Sequence, residues 1–176
     1  MLSPSHRMPT LARASRPGQR GMMLIESLVA IMIIVLGILG IAGLTARSVT
    51  WSGQAQYRTE AGIFAAQIVQ AISLKVDRSS PANLTASLQA LQHQPSGSAQ
   101  QCSFSGSATS NRELAQLLSA ARGAEANVHG LPGATQAGQQ ILVDTTGDLN
   151  QVTVALCWQA PHDEAPRNYQ IQAYVH

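Results

Sequence analysis

Between Gly21 and Leu44 the chain reads GMMLIESLVAIMIIVLGILGIAGL, and from Met22 to Ala46 its one charged residue is Glu26. A helix needs about 20 apolar residues to cross the hydrocarbon core of a bilayer, so this run predicts a membrane-spanning helix to about Leu44. After Arg47 the pattern becomes one-sided. Phe64, Ile68, Ile72 and Val76 recur every fourth residue with Ala61 and Ala65 beside them, while Gln67, Gln70 and Lys75 hold other faces. No proline intervenes before Pro81, so one helix is expected over Met22–Arg78, closed by Ser79-Ser80-Pro81. Gly37, Gly40 and Gly43 should soften it locally, since each costs about 1 kcal/mol relative to alanine in a helix interior.

Downstream the pattern shortens. Ser80 before Pro81 is a helix start signal, and Leu84, Leu88 and Leu91 continue it as a short amphipathic helix to about Gln92. His93–Thr109, HQPSGSAQQCSFSGSAT, has the composition of an irregular loop. Ser110 and Glu113 fit a capping box, Leu114, Leu117, Leu118 and Ala121 follow at helical spacing, and Gly123 supplies a stop. A glycine-rich loop should then run to about Gly138. The last third reads as strands: Ile141–Val143, a turn over Asp144–Asp148, an alternating run Gln151–Trp158, and a second alternation through Tyr169, Ile171, Ala173 and Val175. The fold expected is α+β, a long N-terminal helix packed on an antiparallel sheet of about three strands. Its divisions are a segment 1–21, a helix 22–78 and a globular head 79–176.

Charge sets the orientation. Arg7, Arg13, Arg16 and Arg20 precede the apolar run and no acid lies among the first 21 residues, so the N-terminus belongs in the cytoplasm and the head outside. Four of the eleven basic residues lie there, leaving seven against nine acids after Gly21, a net charge of −2. The basic balance of the whole chain is therefore no sign of nucleic-acid binding, which would need a basic face with interleaved aromatics. Glu26 is the anomaly. A carboxylate in hydrocarbon costs about 2.5–3.5 kcal/mol on insertion scales and marks a functional position by default. A secretory signal peptide would have a shorter apolar region and a small-residue cleavage site; a plain anchor would leave Glu26 without purpose.

The segment Arg20-Gly21-Met22-Met23-Leu24-Ile25-Glu26 resembles the class III signal of type IV prepilins: a basic leader ending in glycine, an apolar residue, and glutamate fifth in the mature chain. Ser27-Leu28-Val29-Ala30 and Gly37–Leu44 are similar to the minor pilin V family, the type IV pilus modification proteins. The resemblance covers Arg20–Leu44. Met22 stands where phenylalanine is usual, Met23 where threonine is common, and Gly43 where many major pilins carry proline. It implies a pilin-like fold and cleavage between Gly21 and Met22 by prepilin peptidase. It also implies N-methylation of Met22 and pairing of Glu26 with the amine of a neighbouring subunit. Implied partners are the peptidase, other major and minor pilins, the inner-membrane assembly platform and membrane lipid. The implied location is the inner membrane, with one pass and a periplasmic head, and then the pilus at the cell surface. A type II secretion pseudopilin shares this signal. A single-pass anchored periplasmic binding domain is the reading from another class.

The two cysteines, Cys102 and Cys157, fall in a head expected to mature where disulfides persist. A bridge is expected, pinning the loop to the sheet; two free thiols are the alternative. No catalytic residue, metal or cofactor is expected. His162-Asp163-Glu164 lies between prolines and reads as a solvated turn, and Asp144 and Asp148 read as turn formers rather than calcium ligands. No serine sits in a nucleophile motif such as Gly-x-Ser-x-Gly.

Overall fold

The structure, a computed structural model, describes residues 20–146, 149–161 and 163–176. The expectation for the leader lies largely outside this range, as do Asp148 and His162. The chain forms two units, Met1–Val49 and Thr50–His176.

The first unit is helical throughout its described part. Helix α1 (Arg20–Lys75) begins here. Its large apolar side chains from Met23 to Leu44 are all exposed, and among the described residues nothing outside the helix's own backbone comes within 4 Å of where a Cβ would stand on Gly37, Gly40 or Gly43. The softening expected at these glycines does not break the helix. Ser27 Oγ donates to Leu24 O (3.0 Å) and Thr45 Oγ1 to Ile41 O (2.9 Å), so both hydroxyls are satisfied within the helix itself. By length and composition α1 can cross a membrane. Its most apolar stretch has a mean hydropathy of 2.8 and none of it is buried.

In the second unit the residues of α1 from Ala61 onward carry the core stripe. Ala61, Ala65, Ile68, Ala71, Ile72 and Val76 are buried, with Phe64 half-buried at the margin. α1 stops at Lys75, three residues before the expected end. The cause is local: Asp77 N–H donates to Ser87 Oγ, and Asp77 Oδ1 accepts from Ser79 N, a side-chain turn that redirects the backbone. Those hydrogen bonds from Ser79 hold the Asp77 carboxyl below its usual range. Helix α2 (Pro81–Ala90) starts as expected. Ser80 caps Asn83 N, Pro81 occupies the first turn, and Leu84 and Leu88 face the core.

The expected irregular loop contains a small hairpin, β1 (Ser96–Ser98) paired with β2 (Ser103–Ser105). Gly97 takes φ +114°, and a Cβ there would overlap Ser103 O. Helix α3 (Arg112–Ala121) corrects the capping expectation. Asn111, not Ser110, is the cap: its Oδ1 accepts from Glu113 N and Leu114 N. The Glu113 carboxylate reaches Lys75 Nζ on α1 at 2.6 Å. The helix closes at Gly123 with φ +68°, where Gly123 N bonds Ala120 O and Ala124 N bonds Ser119 O, the paired pattern of a left-handed C-terminal cap.

Strands β3 (Gln139–Asp144), β4 (Asn150–Trp158) and β5 (Arg167–Val175) form one antiparallel sheet in that order, without a bulge in either register. The expected alternation holds. Val152, Val154, Leu156 and Trp158 join the α1 core, and Ala155 and Cys157 face the other way into a second cluster with Phe104. β4 is thus buried on both faces. The hairpin is what covers its outer side.

Candidate functional site

The residues singled out at the N-terminal junction lie on the opening turns of α1. Gly21, Met22 and Glu26 fall within its bounds, and helical spacing places Glu26 one turn beyond Met22. Glu26 is exposed among exposed Met23, Leu24, Ile25, Leu28 and Val29. No hydrogen bond or ion pair to its carboxylate is found among the described residues. An ionised group on such a surface is tolerable in water and unfavourable in lipid unless another charge meets it. The site can therefore present one negative charge, at fixed helical spacing from residue 22, on an apolar cylinder.

In the head the two cysteines are bridged. Cys102 and Cys157 stand 5.7 Å apart at Cα and 55 residues apart in sequence. Cys102 adopts φ +50° beside the β1–β2 turn, and Cys157 is buried in β4. Side chains reinforce the attachment: Asn168 Nδ2 donates to Ala99 O (3.0 Å) and Gln140 Nε2 to Gln94 O (3.0 Å). Phe104 supplies the apolar contact, and it was not singled out from the sequence because one phenylalanine among serines carries no periodic signal.

Of the turn aspartates, Asp144 and Asp163 are described. Asp144 Oδ1 accepts from Thr146 N at 2.8 Å and from Thr146 Oγ1, which lowers the Asp144 carboxyl below its usual range. Asp163 Oδ2 accepts from Arg167 Nε at 3.0 Å, and Gln54 Nε2 approaches Asp163 Oδ1 at 3.4 Å. Hydrogen bonding to Asp163 raises the Arg167 guanidinium above its ordinary value. The Asp163–Arg167 spacing of four was visible in the sequence and went unused. Among the described residues no three His, Cys, Asp or Glu side chains gather where they could hold a metal. An open cleft of about 440 Å³ is lined by Trp51, Gln54, Ala55, Arg58, Trp158, Arg167 and Asn168; this lining offers no nucleophile.

Compared with known proteins, the chain matches no family model, no curated protein and no solved structure.

Proposed function

We propose that the chain is a minor pilin of a type IV pilus, held in the inner membrane by the first part of α1 and then assembled into the filament or its priming complex. Prepilin peptidase cuts between Gly21 and Met22 and methylates the new Met22 amine. The head enters the periplasm, and the assembled subunit reaches the cell surface among major and minor pilins.

The observation that carries this reading is Glu26: a carboxylate standing in the open on an apolar helix, one turn from the residue that cleavage would make the N-terminus. A free amine at Met22, its own or a neighbour's, would pair with Glu26 in lipid and offset part of the cost of placing a carboxylate there. Lipid tails are as apolar as a partner helix, so apolar contact alone sets no axial register. One charge pair does. The Cys102–Cys157 bridge supports maturation in an oxidising compartment.

The test is Glu26→Ala, followed by immunoblots of sheared pili and of the membrane fraction. The variant should be inserted and cut normally and be depleted from pili. Wild-type abundance in pili would remove the carboxylate's assembly role.

A further inference from the structure

The base of the disulfide-tied loop is closed by a buried histidine. His93 is 5% exposed. Its main chain pairs with the outer edge of β3 through His93 N to Ile141 O (3.0 Å) and Ile141 N to His93 O (2.9 Å). Its Nδ1 accepts from Thr109 N at 3.2 Å, joining the two ends of the loop. One rung further in, Gln94 N donates to Ser107 O at 2.8 Å. Accepting at Nδ1 fixes the neutral tautomer with its proton on Nε2. That Nε2 is buried without a partner, and so is Nε of Arg122, the residue closing α3.

We propose that His93 is a proton-operated latch: protonation releases the base of the loop 93–109 from β3 and Thr109, while the Cys102–Cys157 bridge keeps the released loop tethered. The proposal does not depend on the functional reading above. A second proton on the imidazole must go to Nδ1, where Thr109 N–H already points, so a hydrogen bond becomes a clash of two donors. The new charge is buried, and the charged group acting on it from the packed elements is the cation of Arg122. Its other neighbours, Gln94 and Thr109 in the loop and Gln140 and Ile141 on β3, carry no charge. Burial first, and Arg122 second, push the imidazole below its ordinary value of 6.5. The folded state therefore binds fewer protons than the opened one. The latch is fully closed above pH 6.5 and loses stability as the pH falls from there toward the folded value. The bridge makes release reversible, because the loop cannot leave the sheet altogether.

The experiment is hydrogen exchange of the full chain in detergent micelles between pH 7.5 and 5.0, corrected for intrinsic exchange rates. Protection of residues 93–109 should fall across that range, by up to about thirtyfold for a single proton taken up at 6.5 in the opened state, while 150–158 in β4 hold theirs. His93→Gln, which can still accept from Thr109 N and does not titrate, should give a flat profile. Arg122→Gln, which removes the second cation, should shrink the fall, and it serves if His93→Gln does not fold. A flat wild-type profile overturns the proposal. So does an undiminished fall in either variant.

Discussion

Removing the bridge by Cys102→Ala with Cys157→Ala tests how the head is held together. The crosslink closes a loop with a sequence separation of 55. In the chain-entropy treatment, closing such a loop removes about 14 cal/mol/K from the unfolded ensemble, or about 4 kcal/mol at 25 °C. Little else compensates. The hairpin's buried apolar side chain is Phe104, and its two strands of three residues are otherwise serine and glycine. Domain stabilities are about 5–15 kcal/mol in total, so the loss is a large part of what the head has. The assay is urea unfolding of the full chain in micelles, followed by the fluorescence of Trp158, which is 3% exposed when folded; Trp51, 68% exposed, contributes a nearly constant background. With a slope of about 1–3 kcal/mol/M, the midpoint should fall by at least 1 M. A change in stability below about 1 kcal/mol would show that the hairpin is held by contact rather than by covalent constraint, and would refute the reasoning.

Other substitutions probe separate parts of the head. Asn111→Ala leaves Glu113 N and Leu114 N without their acceptor and should cost about 1 kcal/mol in urea unfolding, whereas Ser110→Ala should cost much less. Ile72 is fully buried on α1, and Ile72→Ala should lower stability by about 2–5 kcal/mol, read as a midpoint shift at unchanged slope. Gly97→Ala places a Cβ on backbone at φ +114° and against Ser103 O; it should cost more than about 1 kcal/mol and raise protease sensitivity within residues 93–109.

The elements visible in the sequence are those whose side chains repeat. Ile68, Ile72 and Val76 announced the buried face of α1, and Val152, Val154, Leu156 and Trp158 the inner face of β4, because burial on one face forces period four or two. The outer burial of β4 was hidden. Thr153, Ala155 and Cys157 look like an ordinary second face, and what covers them comes from a segment of serine and glycine bridged to a cysteine 55 residues away. Capping was ambiguous for a different reason: Ser110 and Asn111 are both good caps, and Glu113 is drawn to Lys75 rather than back to the cap. Cys102 and Cys157 had no other cysteine to pair with. Gly21 and Met22 were singled out through the resemblance and Glu26 as the lone charge in an apolar run; the structure adds that Glu26 stands exposed on α1.

A pilin is defined by what becomes of its Gly21–Met22 bond. Intact-mass and N-terminal peptide analysis of the protein extracted from its own cell envelope reads this without any mutation. A chain beginning at Met22 with one methyl group on its amine is the result expected. A chain that retains Met1 through Gly21, or that begins beyond Leu44, would contradict the pilin reading and return α1 to the role of a plain anchor or signal.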